Sequence, residues 1–257
     1  MGFHCVDCVE AAARATPTQR TVFGGVAPAD ARPLITYTLL GICAVAYALQ
    51  LVSPDVTDRG QFAAYLGARE PWRFLTAAFL HAPGMPLHIL FNMVCLWQIG
   101  TWLEPLLGRA QFTMLYLVSA VGGSVGLLLL ANPPASVAEA HASIWFTATV
   151  GASGAVFGLF GAVVVLLRYL GRSVSGMVAL LAINAALPLL YPNIAWQAHL
   201  GGFVTGVLLA GVLVATREQG RRRWQWPAFA VVIALVVMAA VAKYTLVDTT
   251  FIDSVMP

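Results

Sequence analysis

An all-helical bundle embedded in a membrane is the fold this sequence predicts, and three observations carry the prediction. Hydrophobic residues make up 60% of the 257 and charged residues only 10%, whereas soluble domains carry about 25% charged residues. The apolar residues gather into runs as long as the roughly 20 helical residues that cross a bilayer. These runs lack the apolar–polar alternation of membrane-barrel strands. Because lipid satisfies no backbone hydrogen bonds, each run must be a helix.

Seven such runs occur, at 34–51, 86–106, 110–131, 153–170, 174–190, 198–215 and 227–247. The first 32 residues contain Asp7, Glu10 and Asp30 and no apolar core of a cleavable signal peptide. With the N-terminus on the cytoplasmic side, that side receives Arg14, Arg20, Arg32, Arg109, Arg168, Arg172, Arg217, Arg221, Arg222 and Arg223. The other side receives only Arg59, Arg69, Arg73 and Lys243. The positive-inside rule therefore predicts a multi-pass cell-membrane protein with its N-terminus in the cytoplasm and its C-terminus outside. The net charge of +3 adds little, since placement matters more than the sum. Four cysteines are too few for a disulfide framework, and Cys43 and Cys95 sit inside apolar runs as small hydrophobes do. The long connection 52–85 is strongly apolar in its second half (Trp72, Phe74, Leu75, Phe79, Leu80), and with Arg73 and Glu70 among those residues it is expected to lie in the outer interface, an ordinary packed surface loop being the alternative.

Ionisable and strongly polar side chains within spans are costly and mark functional sites. Four stand out: His88 and Asn92 in the second span, Ser153 at the start of the fourth and His199 at the start of the sixth. These three spans all run from outside to inside, and each carries its polar residue within about 9 Å of the outer end at 1.5 Å per residue. His88 and Asn92, four apart, share a helix face. Gly154 and Gly158 form one small-xxx-small pair and Gly202 and Gly206 another, a pattern that lets helices approach closely. Packing through those glycines would bring Ser153 and His199 together, and a histidine supplies the base that a serine hydroxyl lacks. His88, Asn92 and the Ser153 N–H would then stabilise an oxyanion. A lone membrane serine usually bonds its own helix backbone, and a lone histidine can simply join helices. Four such groups at one depth are hard to explain as packing.

These residues fall in ordered motifs that resemble the rhomboid family of intramembrane serine proteases, over roughly residues 33–215. Trp72-Arg73-Phe74-Leu75-Thr76 with His81 is similar to the family's W-R segment. His88-Ile89-Leu90-Phe91-Asn92 resembles its H-x-x-x-N helix, and Glu104 with Gly108 its E-x-x-x-G. Gly151-Ala152-Ser153-Gly154 matches G-x-S-G, and Ala198-His199 followed by Gly202 and Gly206 matches A-H-x-x-G-x-x-x-G. The resemblance implies a rhomboid-like six-helix core at 33–215 plus one C-terminal transmembrane helix, residues 216–257 being a basic linker, that seventh helix and a short external tail. It implies Ser153 as nucleophile and His199 as general base with no acidic third member. His88, Asn92 and Gly151 would frame the oxyanion and substrate. Phe157 would stack on the histidine, where family members often have tyrosine. Expected partners are transmembrane protein substrates and the lipid bilayer, with no nucleic acid, cofactor or metal and no oligomeric state specified. Ser143, Thr147 and Gln197 are candidates to keep the site wet.

Residues 1–32 form a cytoplasmic segment in which His4, Cys5 and Cys8 make a partial Cys/His motif. It resembles the end of a zinc module that precedes the core in many actinobacterial rhomboids, but it offers at most three of four zinc ligands. Inert reduced thiols are the reading preferred for this chain. Two other functions compete with proteolysis. A silent rhomboid-like protein would bind membrane clients without cutting them, though such relatives usually lack Ser153 or His199. A transporter would carry polar residues at the midplane and internal repeats, and neither is present here.

Overall fold

The computed structural model describes residues 5–7, 19–27, 30, 32–140, 143–190 and 194–247. His4 and Cys8 of the N-terminal motif and the tail 248–257 lie outside them. Among the described residues seven long helices are formed: α1 (Leu34–Val52), α2 (Pro86–Leu107), α3 (Arg109–Leu130), α4 (Ser153–Tyr169), α5 (Ser175–Leu190), α6 (Trp196–Thr216) and α7 (Gln225–Leu246). No strand occurs among the described residues, only two isolated β-bridges. The protein is a multi-pass helical membrane bundle. Leu34–Val52, Arg109–Leu130, Trp196–Thr216 and Arg222–Leu246 are each long and apolar enough to cross a membrane. α2 is diluted by Asn92, Gln98 and Glu104. α4 has 17 residues and is thus about 25 Å long, shorter than a hydrocarbon core of roughly 30 Å.

Local chemistry sets the helix ends. Ser53 precedes Pro54, which disfavours helical backbone, and it takes the extended conformation that stops α1. Pro86 occupies the first turn of α2, where its missing N–H costs nothing. Gly108 alone separates α2 from α3; its φ of +89° suits glycine, and a Cβ there would press on Val26 O. α4 ends in a Schellman-type turn in which the Arg172 N–H donates to Leu167 O around Gly171.

The start of α1 is closed by a residue from elsewhere. Glu104, 1% exposed at the foot of α2, accepts hydrogen bonds from the N–H groups of Ile35 (2.9 Å) and Thr36 (2.8 Å) and from the Thr36 hydroxyl (2.8 Å). A carboxylate here satisfies two orphan donors and complements the positive end of the α1 dipole.

The centre of the bundle is the trio α3, α4 and α6, the most intimately packed helices. Glycines make the contact possible: Gly202 of α6 abuts the carbonyl of Gly154 in α4, Gly206 abuts that of Gly158, and Gly126 of α3 lies against Gly201. With no hydrophobic drive between helices in lipid, such close backbone packing supplies dispersion instead. α5 touches the bundle chiefly along α4.

The connection 52–85 is a folded unit. It contains the short helices Pro54–Gly60 and Arg73–Thr76 and the 3₁₀ turn Ala77–Phe79. Arg73, 5% exposed, pairs with Glu70 and donates to the carbonyls of Asp58 (2.6 Å) and Gln61 (2.8 Å). Phe62, Ala63 and Ala64 are fully buried. Phe23, from the N-terminal segment, is also fully buried and belongs to the main core.

Candidate active site

Ser153 is the first residue of α4, so its own N–H has no acceptor inside the helix. The chain reaches it through Gly151, whose φ of +139° is rarely open to L side chains. The Gly151 N–H donates to Ala77 O at 2.9 Å, tying this corner to the 52–85 connection. A Cβ on Gly151 would stand 2.8 Å from His88 Nε2 and 3.6 Å from Ser153 Oγ. Glycine is therefore required twice over, and its missing side chain is the gap that His88 and Ser153 flank.

His88 sits in the first turn of α2. Its Nδ1 accepts the Ala82 N–H at 3.3 Å. A neutral imidazole accepting at Nδ1 carries its proton on Nε2, so Nε2 is a donor facing the Gly151–Ser153 corner. Asn92, one turn further and 7% exposed, donates its amide N–H to His88 O at 2.8 Å.

His199 stands in the first turn of α6. Its ring stacks on Phe157 with centroids 4.1 Å apart and planes 9° from parallel. Phe157 is one turn beyond Ser153 on α4, so the stack fixes the imidazole beside the serine's helix. Ser153 Oγ makes no hydrogen bond to His199 in this arrangement.

A cavity of about 40 Å³ opens at Ser153, lined also by Ala78, Ser124, Thr149, Gly151 and Ala198. It has room for a few waters. Ser143 and Thr147 do not line it. The Ser143 hydroxyl instead donates to Asn132 O at 2.8 Å. The polar lining comes from Ser124 and Thr149, which sequence reading passed over. A signal for Ser124 was available: α3 runs the opposite way, and Ser124 lies six residues before its end, at the depth of the other polar groups. A larger apolar hollow of about 410 Å³ lies between α1 and the 52–85 connection, lined by Ile42, Val56, Phe79 and Leu80 among others. None of Ser153, His199, His88 and Asn92 lines it.

His81, in the connection before α2, is fully buried with its ring 5.3 Å from that of His88. Gln50 holds its backbone from both sides, donating to His81 O and accepting from His81 N at 2.9 Å each. Burial, helped by the charge of His88, pulls its pKa from 6.5 to about 4, so it is neutral at pH 7. Among the described residues, no three His, Cys, Asp or Glu side chains cluster as a metal site requires.

Residues 68–216, more than half of the chain, match the model of the Rhomboid domain. The chain belongs to the rhomboid family. Among curated rhomboids it is 33% identical over 155 residues to the putative rhomboid protease YdcA of Bacillus subtilis (strain 168), an alignment covering 58% of this chain and 71% of YdcA. It is 26% identical over 200 residues to rhomboid protease GluP of the same organism, covering 72% of this chain and 36% of GluP. RHOMBOID-like protein 1 of Arabidopsis thaliana is 37% identical over 158 residues, covering 59% of this chain and 36% of that protein. The chain thus spans about a third of the length of GluP and of the plant relative.

Proposed function

We propose that this rhomboid is an intramembrane serine endopeptidase that hydrolyses peptide bonds in or near transmembrane segments of other membrane proteins. The observation that supports the reading best is the corner at Gly151. There, His88 Nε2 and the Ser153 hydroxyl flank one gap, while the Phe157–His199 stack stands one turn along the same helix.

In this reading Ser153 Oγ attacks the scissile carbonyl carbon as His199 takes the hydroxyl proton. The charge that develops on the carbonyl oxygen is met by the Ser153 N–H, the positive end of α4 and the His88 Nε2–H. Asn92 is the third donor, through the amide N–H that His88 O does not take. Collapse of the tetrahedral intermediate breaks the C–N bond, and His199 returns the proton to the leaving amine. Water from the cavity then attacks the acyl-enzyme, with His199 again as base. The stack on Phe157 holds the imidazole in place through both steps. N-in, C-out topology puts this site near the outer face of the cell membrane.

Reaction with a fluorophosphonate probe tests the nucleophile directly. The purified protein in liposomes is expected to bear one adduct, on the peptide holding Ser153, and none after His199→Ala. Labelling elsewhere, or equal labelling of Ser153→Ala, contradicts the assignment. A client-binding protein that does not cut would bind a transmembrane peptide yet remain unlabelled.

A further inference from the structure

The seventh helix does more than cross the bilayer. Most of its length presents ordinary lipid-facing residues, including Val231, Leu235, Met238 and Val241, all exposed. Its last turns are different. The Tyr244 hydroxyl donates to Ala64 O at 2.7 Å, a contact across 180 residues of sequence. The Tyr244 ring meets Trp145 edge-on with centroids 6.2 Å apart, and Trp145 is 2% exposed. Next to it, Lys243 Nζ donates to Leu129 O (3.2 Å) and Asn132 Oδ1 (3.0 Å) at the end of α3. Ala240, Val236 and Val247 share a buried cluster with Phe62, Ala64, Ala77 and Trp145.

These partners are the two backbone segments that lead to the site. Phe62 pairs with Thr149 in an antiparallel bridge, N–H to O at 3.0 Å one way and 2.7 Å the other. The Tyr65 N–H donates to Trp145 O at 3.2 Å. Thr149 stands two residues before Gly151 and four before Ser153. A path of hydrogen bonds and short covalent links therefore runs from Tyr244 through Ala64, Phe62 and Thr149 to the corner that His88 and Ser153 flank. No room is left for slack beside it, since a Cβ on Gly67 would strike the Tyr244 hydroxyl as well as Phe74 and Phe62.

We propose that α7 is a strut for the active site and that Tyr244 is a positioning residue, holding segment 62–65 so that segment 145–151 sets the Gly151–Ser153 corner. The proposal rests on the proteolytic reading above. A helix serving only as an anchor needs an apolar surface, and a tyrosine near its end would normally turn its hydroxyl to the wet interface. Here the hydroxyl is spent on a backbone carbonyl of the paired segments. Displacement of a catalytic corner acts on the chemical step more than on substrate capture.

The test compares the full-length wild type with Tyr244→Phe, which keeps the ring and loses the hydroxyl, and with Met238→Ala on the lipid face of the same helix. Two readouts are taken in nanodiscs: hydrogen–deuterium exchange by segment, and kcat and KM for a transmembrane reporter substrate. Tyr244→Phe is expected to speed exchange in 62–65 and 145–151 but not in the centres of α4 and α6. Its kcat is expected to fall about threefold to tenfold with KM within about twofold, and Met238→Ala is expected to match the wild type in both. Unchanged exchange in the two segments overturns the proposal, and so does faster exchange with an unaltered kcat. A wild type that cuts no substrate defeats the proteolytic reading on its own account, and the exchange comparison still decides whether Tyr244 holds the loop.

Discussion

Gly202→Ala is the smallest change that should separate the two halves of the site. The added methyl would fall on the carbonyl of Gly154, with the Gly154 carbonyl carbon 2.7 Å and its Cα 3.1 Å away. Carbon contacts are favourable only beyond about 3.5 Å. The obstacle is helix backbone on both sides, so no side chain can swing aside. Relief requires α4 and α6 to part by roughly 1 Å. Overpacking of this kind costs about 1–3 kcal/mol, or roughly 2–10 °C in Tm for a chain of this size. Because Ser153 is on one helix and His199 on the other, the same displacement should lower kcat by about 100-fold. Gly211→Ala on α6 is the matched control, since a Cβ there meets nothing within 4 Å. It should keep full activity and gain up to about 1 kcal/mol from helix propensity. The assay is cleavage of a transmembrane reporter in liposomes alongside thermal unfolding in detergent. If Gly202→Ala cuts and melts like the wild type, α4 and α6 do not meet at this point and the reasoning fails.

Three further outcomes are expected. Glu104→Gln turns one of two accepting oxygens into a donor facing the first N–H groups of α1, and should cost about 1–3 kcal/mol in detergent unfolding. Phe157→Leu removes the stack under His199 and should lower kcat about two- to tenfold, whereas Phe157→Tyr should retain most of it. His81, with its pKa lowered to about 4 by burial, binds fewer protons folded than unfolded between about pH 6.5 and 4. Its contribution to stability is therefore complete above pH 6.5 and is lost as pH falls through that window, with a slope up to about 1.4 kcal/mol per pH unit. His81→Phe should flatten the fall of Tm between pH 6.5 and 4.5, and an unchanged slope would assign the titration to another group.

Much of the fold was legible because apolar run length is a local signal. The expected run 34–51 became Leu34–Val52, and 153–170 became Ser153–Tyr169. The glycine pairs were legible for a related reason: a spacing of four on a helix places both on one face, and Gly202 and Gly206 do meet Gly154 and Gly158. What escaped was structure made by distant backbone. Arg73 and Glu70 left an interfacial segment and a packed loop both open, because apolar neighbours look the same whether protein or lipid covers them. In the fold Arg73 is buried and gathers carbonyls from Asp58 and Gln61. Phe23 carries no periodic pattern, yet it completes the core beside Tyr169. Ser143 and Thr147 looked like the polar lining because of their place in the loop, but the bridge between Phe62 and Thr149 turns Thr149 to the cavity instead. Nothing local in the sequence marks Tyr244 as a partner of Ala64.

Cleavage by paired variants is the direct test of whether Ser153 and His199 cut peptide bonds in membrane-spanning substrates. Wild type, Ser153→Ala and His199→Ala, each shown to be folded by its thermal transition, are incubated in liposomes with a panel of transmembrane reporters, and the products are sized by mass spectrometry. One main cut by the wild type is expected, with loss of at least about 1,000-fold in rate for both variants. Cleavage by Ser153→Ala at the wild-type rate, or a folded wild type that cuts nothing in the panel, would contradict it.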